Sequence, residues 1–163
     1  FCDWYAPRIL SKLKSIKFAL KYIILTFNLL ELIMAYQSSV KLRGLSLNCD
    51  IGSYGMNEVV PNKHRLDMEL LVEKNLILIE EDKMANVFDY DPLVEEITQI
   101  SLSGKFNTQE KLITLILKAC LKYHQIKAVS LFLYKTPVRE DGELGIAVNI
   151  SEQELEKLRQ HSH

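Results

Sequence analysis

The chain has 163 residues, enough for one domain with a hydrophobic core and too few for two comfortable ones. Its apolar content of 48%, charged content of 25% and net charge of −1 are ordinary for a globular protein and give no reason to expect a nucleic-acid or membrane partner. Three widely spaced cysteines, Cys2, Cys49 and Cys120, favour free thiols in a reducing compartment over a disulfide framework. We therefore expect a cytoplasmic protein.

Residues 1–36 differ from the rest of the chain. Basic residues from Arg8 to Lys21 precede an uncharged run, residues 22–30, that is too short for a spanning helix of about 20 residues. No convincing small-x-small cleavage site follows this run. We expect Met34 to be the natural start and residues 1–33 to be extraneous or a loosely attached amphipathic helix, with a membrane-surface anchor as the alternative.

Two strands are predicted next. The first carries alternating apolar residues with Gly44 as a bulge where the alternation slips, and its members are Val40, Leu42, Leu45, Leu47 and Cys49. Asp50 to Gly55 continue this strand into a glycine-marked turn. Leu66, Met68 and Leu70 alternate with polar residues and predict a second strand that pairs back antiparallel.

Two helices follow the strands. Pro92 suits the first turn of a helix capped by Asp91, and Gly104 ends that helix. The second helix has one broad apolar face, with Asn107 as the predicted N-cap and Glu110 completing a capping box. The residues of that face are Leu112, Ile113, Leu115, Ile116, Ala119 and Cys120.

The end of the chain returns to strands. Val129, Leu131 and Leu133 alternate with polar or aromatic residues, and Lys135 ends this third strand in register with the apolar series. A fourth strand contains Ile146, Val148 and Ile150. Ser151 caps a charged C-terminal helix through Gln160.

This order predicts an α+β fold with a four-stranded antiparallel sheet and two helices packed on one face, in the order ββααββ. We expect a domain over residues 37–151 and a helical tail over residues 152–163. Phe132 and Ala147 make the other sheet face partly apolar, which favours association of subunits through it.

The usual catalytic motifs are missing from the sequence. The four histidines and three cysteines show no metal-ligand spacing, and there is no GxxxxGK[ST], GxGxxG or GxSxG sequence. Polar residues at element boundaries remain as candidates: Asn57, Glu58, Tyr90, Glu110 and Lys135. Each has a bland interpretation, since Glu110 can simply cap its helix and Lys135 can extend from the sheet edge into solvent.

Several of these candidates belong to a longer series of short sequence pieces that resembles the dihydroneopterin aldolase family of the tunnelling-fold superfamily. The resemblance covers residues 40–150, and each piece is short, so specificity comes from the order and spacing. The pieces are Leu42-Arg43-Gly44-Leu45, Ile51-Gly52-x-Tyr54, Asp67, Asp89-Tyr90, Phe106-Asn107-Thr108-Gln109-Glu110, Lys135 and Gly145-Ile146.

The resemblance implies a lyase of folate biosynthesis. Members of the family cleave 7,8-dihydroneopterin by a retro-aldol reaction into 6-hydroxymethyl-7,8-dihydropterin and glycolaldehyde, without a metal, another cofactor or a Schiff base. They form rings of four subunits, stacked in pairs as octamers, with active sites between neighbours. We therefore expect a pterin substrate and a homo-tetramer or homo-octamer, and no nucleic-acid or membrane partner.

The resemblance also implies roles for residues. Glu110 would anchor the pterin through the ring N3–H and 2-amino group, with Gln109 among the substrate-binding residues. Lys135 would be the acid–base residue, working through a bound water on the hydroxyl that becomes the aldehyde. Tyr90 from an adjacent subunit would help to protonate the enol-like intermediate.

One position departs from the family pattern. A glutamate usually follows the Ile-Gly-x-Tyr element, but counting without gaps places Asn57 there and the glutamate at Glu58. Either a one-residue loop shift makes Glu58 catalytic, with Asn57 binding substrate, or the site lacks this carboxylate. An epimerase acting on dihydroneopterin or its triphosphate, or a catalytically impaired pterin-binding ring subunit, remains an alternative.

Overall fold

The computed structural model describes residues 38–52, 63–138 and 140–161, together with Lys21 and Met56. The chain divides into two compact units, Phe1–Gln37 and Ser38–His163, and nearly all described residues belong to the second. The predictions made for residues 1–36, of which only Lys21 is described, stay predictions, as do those for Tyr54, Asn57 and Glu58, which lie outside the described residues.

The main sheet has four antiparallel strands, as predicted, in the order β1-β3-β5-β6. Their bounds are Ser38–Leu47 for β1, Lys63–Val72 for β3, Ile126–Val138 for β5 and Gly142–Ile150 for β6. Gly44 adopts a φ of +63° at a register shift in β1, so the predicted bulge is confirmed. Asp67 holds this bulge, because its Oδ1 accepts a hydrogen bond of 2.6 Å from the Gly44 amide.

A second, very short sheet was not predicted. It pairs β2, Asp50–Ile51, in parallel with β4, Lys105–Phe106, and the Gly52 amide donates a 2.8 Å hydrogen bond to the Phe106 carbonyl. Two-residue strands carry no periodic signal, which explains why the sequence suggested that β1 simply continued. The ladder ties the chain after β1 to the segment that enters the second helix.

Between Ser38 and His161, the described residues form three α-helices: α1, Asp91–Leu102; α2, Gln109–Leu121; and α3, Glu152–Gln160. Single 3-10 turns at Lys74–Leu76 and Met84–Asn86 lie in the connection before α1. The apolar faces of α1, α2 and α3 share one core with the inward-facing residues of the sheet. Its fully buried members include Leu66, Leu70, Leu93, Ile97, Leu112, Ile116, Leu131, Leu133 and Leu155.

The predicted caps of α1 and α2 are each wrong by one residue. Tyr90, rather than Asp91, occupies the N-cap position of α1. Thr108, rather than Asn107, caps α2, and its hydroxyl accepts a hydrogen bond of 3.2 Å from the Lys111 amide. Both Asn107 and Thr108 suit an N-cap, so residue preference alone did not distinguish them.

A close backbone approach requires Gly145 in β6. This residue pairs with Tyr134, and a Cβ atom there would lie 2.2 Å from the Leu133 carbonyl oxygen. On the same outer face of the sheet, the rings of Phe132 and Tyr134 stack with centroids 4.8 Å apart.

The assembly of four or eight subunits predicted from the resemblance is not shown by a single chain.

The predicted capping of α3 by Ser151 is confirmed, since the Ser151 and Glu154 side chains form a capping box. Arg159 near its end is only 7% exposed, although it is charged. Its guanidinium donates to the carbonyls of Leu121 at 3.1 Å, Tyr123 at 2.8 Å and Ile126 at 2.9 Å. These bonds attach α3 to the end of α2 and the beginning of β5.

Cys49 and Cys120 are both free thiols, half-buried and buried respectively, as expected for this pair. Burial raises the pKa of the Cys49 thiol to about 11 and that of the Cys120 thiol to about 12, so both stay protonated at neutral pH. Within the described ranges, no helix combines the length and apolar character needed to cross a bilayer.

Candidate active site

A cleft of about 260 Å³ lies where the beginning of α2 meets the adjoining ends of β3 and β5. Backbone and side chains from four segments line it: Ile51, Gly52, His64, Asn107, Thr108, Gln109, Glu110 and Lys135. Gln109 and Glu110 at the start of α2 therefore share one cleft with Lys135, which lies on β5. This convergence of a carboxylate, an amide and an amine marks the cleft as the candidate active site.

Volume alone does not select this site. A larger depression of about 790 Å³ lies between α2 and α3, with Lys118, Lys122 and Arg159 in its lining. Its Arg159 is already committed to backbone carbonyls, and Lys122 pairs with the Glu96 carboxylate. The smaller cleft instead contains polar side chains that form no salt bridge within the described part of the chain, namely Gln109, Glu110 and Lys135.

The short β2–β4 ladder forms one wall of the cleft. Ile51 is 6% exposed and pairs with Phe106, the residue just before the segment that enters α2. Gly52 follows with a φ of +90°, a conformation that residues with a Cβ rarely adopt. The ladder thus fixes the Ile51–Gly52 backbone against the first turn of α2.

Glu110 is the second residue of α2 and its side chain is exposed. Because Thr108 caps the helix and Lys111 is the third helical residue, Glu110 does not take part in a capping box. Its carboxylate makes no ion pair with any cation in the described ranges. The positive end of the helix favours an anion at this place, so the carboxylate is free to receive hydrogen-bond donors.

Gln109 opens α2 and contributes a buried amide nitrogen. Its Nε2 atom has no hydrogen-bond partner among the described residues. A buried donor without a partner is unfavourable by about 1–3 kcal/mol, so such a group is well suited to a ligand that supplies the missing acceptor. Gln109 is therefore a candidate ligand-binding residue next to Glu110.

Lys135 extends into the cleft from β5, where it lies opposite His64 of β3 and Leu144 of β6. It shares the inward face with Leu131 and Leu133, as the sequence predicts, and its side chain is half-buried. No carboxylate in the described part of the chain forms a salt bridge with it. The amine is therefore available for chemistry at the cleft.

His64 is a residue of the cleft that the sequence analysis missed. It is only 4% exposed, and burial, followed by the charge of Lys135, lowers the pKa of its imidazole. A signal existed, because His64 precedes Leu66, Met68 and Leu70 in the alternating inward-facing series of β3. A polar residue at the end of an otherwise apolar inward-facing series indicates that this end of the strand borders a functional site.

Tyr90 does not line the cleft of its own chain. It lies at the start of α1 with 46% of its surface exposed. The structure therefore brings together Glu110, Gln109 and Lys135 but not Tyr90. Within the described ranges, no group of three His, Cys, Asp or Glu side chains has the arrangement of a metal site.

Comparisons with known proteins point to one family. A family model described as FolB, dihydroneopterin aldolase, matches residues 40–150. Dihydroneopterin aldolase from Burkholderia thailandensis bound to guanine is 22% identical, with a TM-score of 0.59 over 71% of this chain and 91% of that one. The E. coli enzyme in complex with neopterin is 19% identical, with a TM-score of 0.58 over 69% and 97%. At identities this low, the structural similarity establishes a shared fold and nothing more specific. No curated protein sequence matches significantly.

Proposed function

Because the chain belongs to the dihydroneopterin aldolase family, we propose that it is a lyase of folate biosynthesis that cleaves 7,8-dihydroneopterin into 6-hydroxymethyl-7,8-dihydropterin and glycolaldehyde. The observation that carries this proposal is the shared cleft of Glu110 and Lys135. One side chain has the chemistry to bind a flat heterocycle with adjacent N–H donors. The other can handle a proton next to it.

Glu110 binds the pterin ring in this proposal. Its two carboxylate oxygens accept from the ring N3–H and the 2-amino group as a charge-assisted pair. The Gln109 amide, whose nitrogen is buried without a partner, supplies a further hydrogen bond to the ring. The relatives' complexes with guanine and neopterin support a ligand of this kind, because both heterocycles present adjacent N–H groups beside a carbonyl.

Lys135 controls the proton of the side-chain hydroxyl that becomes the aldehyde, acting through a bound water. As that proton leaves, the adjacent carbon–carbon bond breaks and its electron pair passes into the dihydropterin ring. The carbon that stays on the ring then gains one proton. Since the ring itself accepts the electron pair, we propose a reaction without a metal, another cofactor or a Schiff base, in which the protein orients the substrate and moves protons.

The proposed site is completed by a second subunit. Tyr90 lies outside the cleft and is exposed, which suits a residue that serves the cleft of a neighbouring chain. β1 and β6 each have one edge without a partner strand in the described sheet, and such edges can continue a sheet from chain to chain. We propose a homo-tetrameric or homo-octameric ring in the cytoplasm, with Glu58 from the loop before β3 as a further catalytic carboxylate and Asn57 binding substrate.

A product assay tests this function. Purified protein is incubated with 7,8-dihydroneopterin, and glycolaldehyde and the remaining pterins are separated and quantified. Equimolar glycolaldehyde and 6-hydroxymethyl-7,8-dihydropterin support the aldolase. An epimerised pterin without glycolaldehyde would identify an epimerase, and pterin binding without any conversion would identify a binding subunit; either result would overturn the proposal.

A further inference from the structure

His64 faces Lys135 across the β3–β5 ladder inside the candidate active site. The two residues are Cα partners in an antiparallel pair, so their side chains project to the same face of the sheet. Both line the cleft that also contains Glu110. An imidazole is thus a direct cross-strand neighbour of the amine to which the proposed function assigns the proton chemistry.

His64 is the polar exception in the inward-facing series of β3. The other buried positions of this strand, Leu66, Met68, Leu70 and Val72, carry apolar side chains. In the described part of the chain, no hydrogen bond to the ring exists, and the ring borders the cleft. The imidazole is therefore not used by hydrogen bonds within the described fold and borders the space that a ligand would occupy.

The surroundings keep the ring neutral. Burial lowers the pKa of His64 below its ordinary value of 6.5, and the positive charge of Lys135 lowers it further. Of the other described elements around it, α2 presents the Glu110 carboxylate across the cleft, and β1 presents Leu47 as its strand neighbour. Two residues beyond Leu47, the thiol of Cys49 has a pKa of about 11 and is uncharged. At neutral pH, His64 is consequently a base with one unprotonated nitrogen.

We propose that His64 is the proton acceptor of this cleft, receiving the hydroxyl proton of the substrate through the water that Lys135 holds. This inference rests on the proposed function and assigns it a base. The imidazole becomes imidazolium as the hydroxyl oxygen forms the aldehyde and the carbon–carbon electron pair enters the ring. The proton then returns through water to the carbon left on the ring, so that one turnover needs no net proton. Throughout, the Lys135 ammonium stabilises the negative charge that develops on the oxygen.

The first test is the pH profile of turnover. H64F keeps an aromatic ring but has no ring nitrogen, and we expect kcat to fall at least tenfold while KM for 7,8-dihydroneopterin changes less than threefold. The acidic limb of the wild-type kcat profile, which reports protonation of the imidazole, should disappear. H124F is the matched control, because His124 is exposed and lies outside the cleft. An H64F enzyme with wild-type kcat and an unchanged profile would overturn the proposal.

The second test needs no turnover and keeps His64 in place. The chain has four histidines, so 15N-histidine labelling gives a simple imidazole spectrum in which H64F identifies the His64 signals. We expect the His64 pKa to lie below 6.5 in the wild type and to rise in K135M, which removes the neighbouring charge. If the His64 pKa is unchanged in K135M, the proposed interaction between His64 and Lys135 is refuted, even if the wild type releases glycolaldehyde. If the His64 pKa rises in K135M but the wild type releases no glycolaldehyde, the proposed function is refuted instead.

Discussion

Glu110 and Lys135 line the same cleft from different layers of the fold. Glu110 belongs to the first turn of α2, and Lys135 lies on β5 of the sheet, yet both line one cleft. Because Thr108 caps α2, the Glu110 carboxylate is not needed to hold the helix together. The two side chains can therefore divide the work, with the acid binding a heterocycle and the amine managing protons.

Replacing Glu110 with glutamine should remove pterin binding while leaving the fold intact. The new amide places a donor where the ring also presents donors, so we expect affinity for neopterin to weaken on the order of 100-fold. Calorimetric titration with neopterin measures this loss. E152Q is the matched control, since Glu152 opens α3 away from the cleft. Equal affinity of E110Q and wild type would exclude Glu110 as the anchor.

The cap of α2 can be tested separately from function. T108A removes the hydroxyl that accepts from the Lys111 amide, and we expect the free energy of unfolding to drop by about 1 kcal/mol. N107A should change it by only about 0.5 kcal/mol or less, because Asn107 is not the cap. Urea denaturation followed by circular dichroism compares the two. The opposite ranking would restore Asn107 as the N-cap.

Arg159 should be a major contributor to stability. Its guanidinium satisfies three backbone carbonyls at the junction of α2 and β5, and R159M leaves those acceptors without this partner. We expect R159M to lower the free energy of unfolding by about 2 kcal/mol or more. K157M carries the same charge change on an exposed position of α3 and serves as the control. A loss no greater in R159M than in K157M would contradict this role.

Stability should decline in mild acid partly because of His64. Its pKa is lowered in the folded state but takes the ordinary value of 6.5 in the unfolded chain. The unfolded state therefore binds more protons as pH falls through 6.5, and the free energy of unfolding decreases. In urea denaturation at about pH 7.5 and about pH 5.5, H64F should lose less stability than wild type or H124F. An equal loss in all three proteins would count against the lowered pKa.

Much of the fold follows from periodicity. The alternating series of β1, β3 and β5 and the apolar face of α2 are strong signals, so the four-stranded sheet and its helices were predictable. The bulge at Gly44 was predictable because the alternation slips there. The β2–β4 ladder was not, since two-residue strands depend on tertiary contacts that periodicity does not report.

The site was only partly predictable. Glu110 and Lys135 were predicted from element ends and a family series, and both line the same cleft. The prediction that Lys135 ends its strand is wrong, because β5 continues to Val138. His64 was missed because it was considered only as a metal ligand, although its place in the inward-facing series of β3 pointed to the cleft. The proposed contribution of Tyr90 requires a second chain, and periodicity within one chain does not specify such an arrangement.

The most direct test of the account is the release of glycolaldehyde by K135M under conditions in which pterin binding is saturated. Methionine keeps the apolar stem of the side chain and removes only the amine, so neopterin affinity should stay within about threefold of wild type. Single-turnover release from 7,8-dihydroneopterin should then fall about 100-fold or more, because K135M removes the charge that stabilises the developing oxyanion. A K135M enzyme that binds pterin and releases glycolaldehyde at the wild-type rate would contradict the central claim.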